Sequence, residues 1–318
     1  MQPPLIPLAE ARARALAALR RQYGGAPGLT LLNPSAPEQA SFVFRADLGD
    51  QAAVVVKIGD PARLAQAAGR LAEAYPQMND GRYRVPQVLA HDAAQGLLMM
   101  EDARGQSAQS LWSTGPAGAA RVLASAGAWI ARFHKPTRHM GVFNPDPHLN
   151  WLHKQVANHL AQTHKIPDFA AFQAGFVQLT IEAEAVRGQP ILRCVTHRDF
   201  HLRNLLIRNL GRTYGIDFEN SNRDEALRDL LFFTADAAKL QSHAPTPQTL
   251  RAIALPLRAA YAHPLGNPAS RRVFQTAFAL AGWASLDASD TALGPNRARA
   301  LAVMQAVANS DDLFADPS

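Results

Sequence analysis

The chain has 318 residues, a formal net charge of +6, 47% hydrophobic and 18% charged residues, and a single cysteine, Cys194. Its length exceeds the size at which one hydrophobic core usually stops growing, so we expect two lobes, and the composition excludes a disordered protein. No apolar run reaches the roughly 18 residues of a membrane span, and the arginines form no basic tract, which argues against membrane insertion and a nucleic-acid partner. The amino terminus lacks a secretory signal pattern, so a cytoplasmic location is expected.

The first hundred residues predict a small mixed lobe. An amphipathic helix begins near Leu8, and two runs rich in β-branched and aromatic residues, 41–46 and 52–58, predict an antiparallel hairpin. A helix over 61–75 and strands over 85–90 and 96–101 follow. We therefore predict a first domain over residues 1–103.

Helices dominate the predicted second domain, residues 104–318. Helices are expected over 117–135, 146–163 and 168–187, the last with Asp168 as its N-cap. A strand-rich patch over 191–216 comes next, and about four helical segments follow from residue 224. The predicted fold class is α+β, with an antiparallel sheet and one helix in the small lobe and a larger, mainly helical second lobe.

The strand-rich patch contains the loop His197-Arg198-Asp199-Phe200-His201-Leu202-Arg203-Asn204, and this spacing of His-Arg-Asp and Asn matches the catalytic loop of kinases. Phosphoryl transfer needs a carboxylate at the acceptor hydroxyl and side-chain oxygens on Mg²⁺. Asp199 fits the first role, and Asn204 with Asp217, at the end of a later strand, fits the second. The alternative is that these three are turn and strand-end residues.

Several segments together resemble the aminoglycoside phosphotransferase and choline kinase superfamily. They are the run 195–206, the sequence Asp217-Phe218-Glu219, Asp229-Leu230, and a helix ending in Phe133-His134. The resemblance implies a bilobal, protein-kinase-like fold and an ATP- and Mg²⁺-dependent phosphotransferase. The Asp-Phe-Glu form resembles choline kinases in particular.

The resemblance also implies roles for individual residues. Asp199 would orient or deprotonate the acceptor hydroxyl, His201 would lie near the γ-phosphate, and Asn204 and Asp217 would hold Mg²⁺. Asp229 would support the loop, although a surface helix position is the alternative for it.

Arginines at two loop positions depart from the family pattern. The family commonly has glycine where this chain has Arg198 and Arg203. Each arginine would either bind phosphate or form an ion pair with Asp224 or Glu225.

The first lobe is expected to supply a lysine to the phosphates of ATP, and Lys57 is the candidate because it ends an apolar run. A solvent-facing edge-strand lysine is the alternative. Glu73 is the only acid on the following helix, but the family spacing would put the partner carboxylate nearer Gln66 or Ala67. Glu73 is therefore either the partner of Lys57 or a solvated helix residue.

The expected phosphate loop, residues 34–41, contains no glycine, although Ser35 and Ser41 could offer hydroxyl and backbone N–H groups. By analogy, adenine would bind near Met100 and Asp102. Six histidines between residues 134 and 164 have no zinc-site spacing, so we predict no zinc site.

The acceptor is left open between amino sugars, choline or ethanolamine, and related metabolites. Trp283 is a candidate for a cation-binding aromatic wall, with core packing as its alternative. Acids that a polycationic amino sugar would need are Glu219, Asp224, Glu225, Asp287, Asp290, Asp311, Asp312 and Asp316.

We predict a phosphotransferase acting on a small-molecule hydroxyl; a nucleotide-binding regulatory protein of the same fold is the alternative. Protein phosphorylation is disfavoured because the segment between Asp217 and Asp229 is too short for an activation loop.

Overall fold

The computed structural model describes residues 4–24, 27–33, 36–208, 211–288 and 293–315. The chain forms two compact units, Met1–Ser110 with Arg203–Ser221, and Leu111–Leu202 with Asn222–Ser318. The domain boundary at residue 103 stays a prediction. Within the described ranges, none of the helices has the length and apolar character needed to cross a membrane.

In chain order the elements are β1 (Ile6–Pro7), α1 (Leu8–Tyr23), β2 (Gly28–Leu31), β3 (Glu38–Gln39), β4 (Ser41–Asp47), β5 (Val54–Gly59), α2 (Pro61–Met78), β6 (Tyr83–Arg84), β7 (Val88–Asp92), β8 (Leu97–Glu101), β9 (Gln106–Ser107), α3 (Ala108–Trp112), α4 (Pro116–His134), β10 (His139–Val142), α5 (Asp146–Leu160), α6 (Phe169–Val186), β11 (Pro190–Thr196), a 3₁₀ turn (Leu202–Asn204), β12 (Leu205–Ile207), β13 (Thr213–Gly215), β14 (Asn222–Glu225), α7 (Leu227–Lys239), α8 (Pro247–Tyr261), α9 (Pro268–Ala284) and α10 (Pro295–Ala308).

The main sheet of the first unit is antiparallel, with the strand order β2, β4, β5, β8 and β7. Side chains alternate between the two faces of a strand, so Val54, Val56 and Ile58 of β5 pack with α1 into one buried core. Val55 and Lys57, which lie between them in sequence, face the opposite side of the sheet. The same alternation in β4 and β8 separates a core face from the face that carries Lys57.

A smaller sheet in the same unit has the order β6, β13, β12 and β9. The hairpin of β12 and β13 connects Asn204 to Asp217. Asn204 immediately precedes β12, and Ile216 is the one residue between β13 and Asp217. The backbone N–H of Ile216 donates to the carbonyl of Asn204 at 3.0 Å. The two predicted metal-binding residues therefore lie at the same end of this hairpin.

The second unit is built from helices around a three-stranded antiparallel sheet, β10, β11 and β14. Helices α4 and α8 pack closely at Gly127, where a Cβ atom would lie 2.4 Å from the carbonyl oxygen of Leu257. A larger residue at Gly127 would push the two helices apart. The buried face of α4 carries Trp129, Ile130 and Phe133, as its helical spacing predicts.

The α+β class is confirmed, and several local features differ from the sequence predictions. The short elements that were not predicted are β1, β2, β3, β6, β9, α3, β10 and β14. The first residues of the helical region predicted from residue 224 belong to β14. Asp168 is the N-cap residue of α6, as predicted, but its backbone is left-handed (φ 48°) and its side chain makes no cap hydrogen bond. Its carboxylate instead accepts a hydrogen bond from Gln305.

Candidate active site

The catalytic-loop segment of the second unit is held by a fully buried carboxylate on α7. Asp229 accepts hydrogen bonds from the backbone N–H groups of His197 at 2.7 Å and Arg198 at 2.8 Å. His134, at the end of α4, lies 2.9 Å from the same carboxylate through Nε2 and 3.0 Å from the Tyr261 hydroxyl through Nδ1. Both Asp229 and His134 have no exposed surface. Their bonds therefore fix the backbone just before Asp199.

A second carboxylate on the same helix holds the other end of this segment. Asp236 accepts a hydrogen bond from the backbone N–H of Leu202 at 3.0 Å. Asp229 and Asp236 are seven residues apart, so they share one face of α7. This role of Asp236 was not predicted from the sequence. The signal that could have revealed it is the seven-residue spacing of two acids on a largely apolar helix.

Aromatic packing fixes the residue after Asp199. Phe200 is fully buried, and its ring stacks on Trp129 with centroids 5.4 Å apart and contacts Phe233 at 5.0 Å. Offset-stacked rings are favourable beyond the area that they bury. Asp199 itself stays partly exposed, with 33% of its side chain accessible, and its carboxylate lies 3.6 Å from Nε2 of His201.

Arg198 occupies a backbone conformation that favours glycine. Its φ angle is 62°, in the left-handed region where a side chain costs roughly 1 kcal/mol or more. This geometry explains why glycine suits the family at this position. The side chain lies 3.4 Å from Asp224 through Nε, so one of the ion pairs that we expected is present.

Lys57 of the first unit lies between two carboxylates. Its Nζ is 3.0 Å from Asp217 and 2.6 Å from Glu219, and only 8% of the residue is exposed. Burial alone would lower the pKa of Lys57, but the charges of Asp217 and Glu219 outweigh it and raise the pKa above its ordinary value. The ammonium group is therefore charged at neutral pH, and the edge-strand alternative does not describe it.

An apolar cavity of about 150 Å³ in the first unit carries Lys57 on its wall. Its lining includes Val43, Val55, Lys57, Ala67, Leu71, Leu98, Met100, Asp102, Leu206 and Asp217. Mainly apolar walls with a few polar groups are typical of small-molecule sites. Two of the residues proposed for adenine, Met100 and Asp102, thus belong to this lining. The Asp102 carboxylate is bound to Arg45 at 2.8 Å and to Arg104 at 3.0 Å.

The structure does not bring Glu73 to Lys57. Glu73 forms an ion pair with Arg70 at 2.8 Å, and two thirds of its side chain is exposed (67%). At the positions that the family spacing favours, Ala67 lines the cavity and Gln66 donates to the carbonyl of Ser221 at 2.9 Å. Glu219 provides the second carboxylate, and this pairing with Lys57 was not predicted from the sequence. Its position two residues after Asp217 was the signal that could have predicted it.

The predicted phosphate loop is only partly described, because Ser35 lies outside the described residues. Ser41 begins β4, and its carbonyl accepts a hydrogen bond from the Asn33 side chain. In the part of the chain that the structure describes, Ser41 is not among the residues that line the cavity. Its role at a nucleotide stays a prediction.

Trp283 is buried in the second unit. Its indole N–H donates to the carbonyl of Pro167 at 2.7 Å, and its ring packs edge-on against Phe172. Trp283 also lines an open groove of about 640 Å³ formed by α6, α9 and α10. Among the described residues, no group of three or more histidine, cysteine or acidic side chains is arranged to hold a metal ion.

A cluster of charged groups adjoins the loop in the second unit. The neighbouring Asp224 and Glu225 are both nearly buried, and Oδ2 of Asp224 lies 2.5 Å from Nε of Arg228. Burial and the Asp224 carboxylate raise the pKa of Glu225 to about 8, so this carboxyl keeps its proton at neutral pH. Burial and the charge of Arg228 lower the pKa of His148 to about 4, so this imidazole is neutral there.

Comparison with known proteins gives one family match. The model of the phosphotransferase enzyme family matches residues 35–274 of the chain. A comparison with curated protein sequences gives no match.

Several solved structures are similar in fold over nearly the whole chain. Macrolide 2'-phosphotransferase MphH from Brachybacterium faecium has a TM-score of 0.59 at 16% identity, covering 93% of this chain and 98% of its own. Amicoumacin kinase hAmiN, in complex with AMP-PNP, Ca²⁺ and Ami, has a TM-score of 0.58 at 14% identity and covers 98% of both chains. Choline kinase LicA from Streptococcus pneumoniae has a TM-score of 0.56 at 13% identity, covering 93% of this chain and 98% of its own. At these identities the similarity shows the bilobal, protein-kinase-like fold and nothing finer.

Proposed function

The chain belongs to the phosphotransferase enzyme family, and we propose that it transfers the γ-phosphoryl group of ATP to a hydroxyl group of a small molecule. The observation that carries this proposal is the Lys57 ammonium group, which is buried between Asp217 and Glu219 on the wall of an apolar cavity. A buried cation with two carboxylates at an apolar pocket is an arrangement that phosphoryl transfer requires and that core packing does not.

The cavity residues fit a nucleotide. Its apolar walls suit the base, and its lining includes Met100 and Asp102, the residues that we propose for the adenine edge. Lys57 is charged and lies on the same wall, so it can bind the phosphates through charge-assisted hydrogen bonds. Because Lys57 is already held by Asp217 and Glu219, it needs no ordering when the nucleotide binds.

The donor set also fits Mg²⁺. Asn204 and Asp217 offer an amide and a carboxylate oxygen at one end of the β12–β13 hairpin, and oxygen ligands of this kind are those that Mg²⁺ prefers. When bound, Mg²⁺ neutralises negative charge on the phosphates. Asp217 has left-handed backbone geometry (φ 69°), and backbone strain of this kind is common at functional sites.

Asp199 is the proposed proton acceptor of the second unit. As the acceptor oxygen forms its bond to the γ-phosphorus, the bond from that phosphorus to the bridging oxygen of ATP breaks and ADP leaves. Asp199 takes the hydroxyl proton, and its partly exposed carboxylate is available for this step. Asp229 and Asp236 hold the backbone on both sides of it, while His201 lies next to its carboxylate.

The proposal is tested by ADP release from Mg-ATP in the presence of amino sugars, amino alcohols, neutral sugars and sugar acids. Wild-type enzyme should show acceptor-dependent release, and Asp199→Ala and Asp217→Ala should each lower it at least about 100-fold. Asp50→Ala, an exposed position in the turn between β4 and β5, is the matched control and should keep wild-type release.

Two outcomes would contradict the proposal. ATP binding without acceptor-dependent release from any compound would favour the nucleotide-binding regulatory protein. Release that survives Asp199→Ala would remove Asp199 from the reaction.

A further inference from the structure

Most of the carboxylates that a polycationic acceptor would need already have a partner within the described structure. Those with a partner in the described structure are Glu219 with Lys57, Asp224 with Arg228, Asp287 with the backbone N–H of Lys165, and Asp312 with Arg271. The Asp312 contact with the buried Arg271 is a charge-assisted pair, at 2.6 and 3.0 Å. Asp290 and Asp316 lie outside the described residues, and Asp311 is exposed.

Two partly exposed guanidinium groups belong to β11 and to the start of the loop that carries Asp199. Arg198 immediately precedes Asp199, and 39% of its side chain is exposed. Its Nε lies 3.4 Å from Asp224. A guanidinium group carries five N–H donors, so this single contact leaves donors for a further anion.

Arg193 is the second guanidinium, and a glycine makes room for it. A Cβ atom at Gly141 of the neighbouring strand β10 would lie 2.9 Å from Cδ of Arg193, so the arginine stem lies directly over Gly141. The side chain is 40% exposed, and its one ion-pair contact within the described residues is Glu225, at 3.9 Å. That distance is too long for a hydrogen bond.

The charges of this cluster do not balance. Because burial and Asp224 raise the pKa of Glu225 to about 8, Glu225 contributes no negative charge at pH 7, and the contact with Arg193 is not a full ion pair. The neutral His148 adds no charge of either sign. The guanidinium groups of Arg198 and Arg228 therefore share the single carboxylate charge of Asp224, while Arg193 faces the protonated Glu225.

We propose that Arg193 and Arg198 form a specificity site for an anionic group, a carboxylate or a phosphate, carried by the hydroxyl compound that is phosphorylated. This inference rests on the proposed function and narrows its acceptor class from amino sugars and cationic alcohols to hydroxy acids or sugar phosphates. Guanidinium groups bind both anions through two parallel hydrogen bonds, which lysine does not reproduce. A cationic acceptor would meet like charge at the same place.

Sugars that share one ring and differ in charge test the inference. Glucuronate, glucose 6-phosphate, glucose and glucosamine are compared as acceptors in the ADP-release assay. We expect an anionic sugar to exceed glucose in kcat/KM by about 10- to 100-fold, the value of one charge-assisted hydrogen-bonded contact, and glucosamine to fall below glucose. Whether glucuronate or glucose 6-phosphate is preferred distinguishes a carboxylate site from a phosphate site.

Substitutions test whether Arg193 and Arg198 cause the preference for an anionic acceptor. Arg193→Gln and Arg198→Gln should each raise the KM for the anionic acceptor about 10- to 100-fold and leave the KM for ATP unchanged within about twofold. Arg193→Lys, which keeps the charge without the planar group, should recover part of the loss. Arg251→Gln, an exposed arginine of α8 in the same unit, is the control and should have wild-type constants. Circular dichroism verifies that each variant folds.

The outcomes separate this inference from the proposed function. A neutral or cationic sugar as the best acceptor, or an equal loss in Arg251→Gln, overturns the anion site and leaves the phosphotransferase assignment intact. If none of the sugars releases ADP, the binding of glucuronate and glucose 6-phosphate is measured by calorimetry with Mg²⁺ and a non-hydrolysable ATP analogue. Binding that both arginine variants lose supports the anion site even then, and no binding overturns it.

Discussion

Asp217 of the first unit and Asp229 of the second are carboxylates of two separate candidate centres, and the protein holds them in different ways. Asp229 has no exposed surface, and its partners are two backbone N–H groups and a buried histidine. Asp217 keeps 37% of its side chain exposed, and its partner is the charged Lys57.

This difference separates a permanent support from an exchangeable pair. The N–H groups bound to Asp229 are buried, so losing their acceptor would leave them unsatisfied at a cost of about 1–3 kcal/mol each. The ammonium group of Lys57 has two carboxylates, so it can bind a phosphate and still keep a partner. One centre is therefore built for rigidity and the other for ligand exchange.

The largest effect is expected from Asp229→Ala. The substitution leaves the N–H groups of His197 and Arg198 and the ring of His134 without their acceptor, so the free energy of unfolding should fall by about 3–5 kcal/mol. Urea denaturation at pH 7 measures this. Asp217→Ala is the comparison and should cost no more than about 1 kcal/mol, because Asp217 is partly exposed and Lys57 keeps Glu219 as its partner. Equal losses would mean that the two carboxylates do not differ as we describe.

Lys57→Met should affect catalysis more than stability. Loss of the ammonium group removes charge-assisted hydrogen bonds to the phosphates, so the KM for ATP should rise about 10- to 100-fold. ADP release at varied Mg-ATP measures the change, and Lys154→Met on the exposed face of α5 is the matched control. An unchanged KM would remove Lys57 from nucleotide binding.

Glu225 should make the stability depend on pH. Its carboxyl faces Asp224 on β14, Arg193 on β11 and His148 on α5. The pKa of Glu225 is about 8 in the fold and near 4.5 in the unfolded chain, so Glu225 by itself lowers the free energy of unfolding by about 3–4 kcal/mol between pH 5 and pH 8. The pKa of His148 is about 4 in the fold and near 6.5 in the unfolded chain, so His148 raises the free energy of unfolding by about 2 kcal/mol over the same range. The net result should be a fall on the order of 1–2 kcal/mol.

The test of this pH dependence is Glu225→Gln, which carries a neutral amide in place of the protonated carboxyl. The wild type should be less stable at pH 8 than at pH 5 in thermal unfolding, and this loss of stability should be absent in the variant. A slope that is the same in both proteins would assign the pH dependence to other groups.

Two substitutions at Arg198 test the backbone geometry of the loop. At a φ angle of 62°, Arg198→Ala keeps the strain and loses the contact with Asp224, whereas Arg198→Gly loses the same contact and removes the strain. The glycine variant should therefore be more stable than the alanine variant by about 1 kcal/mol in urea denaturation. The opposite order would show that the loop does not adopt this conformation.

The smallest effect is expected from Glu73→Ala. Glu73 is exposed and pairs with Arg70 on the same helix, and such pairs contribute less than about 0.5 kcal/mol. Both the KM for ATP and the unfolding free energy should stay near the wild-type values. A large rise in KM would mean that Glu73 reaches the nucleotide in the working enzyme.

Local sequence patterns predicted much of the fold. Strand alternation put Val56 and Ile58 on the core side of β5 and left Lys57 on the other, and helical spacing identified the buried face of α4. The family signature around Asp199 and Asp217 predicted the phosphotransferase family, and the family match confirms it. The roles of these site residues stay predictions.

Features that depend on distant partners were not predictable in this way. Strand β14 has the polar sequence Asn222-Arg223-Asp224-Glu225, which has little strand propensity and forms a strand by pairing with β11. Glu219 binds a lysine that is far away in sequence, so only the folded chain reveals the pair. Asp168 is the N-cap residue of α6, as its sequence position predicts, but its side chain bonds to the distant Gln305 and not to the helix N–H groups.

The bonds from Asp229 to the loop have a consequence for how this enzyme can evolve. They reach only the backbone N–H groups of His197 and Arg198, so they do not depend on which side chains the loop carries. A mutation at Arg198 can therefore change what lies beside Asp199 while the support of the loop is kept. In a lineage of such enzymes, new acceptor preferences can arise by single substitutions without rebuilding the helices beneath them.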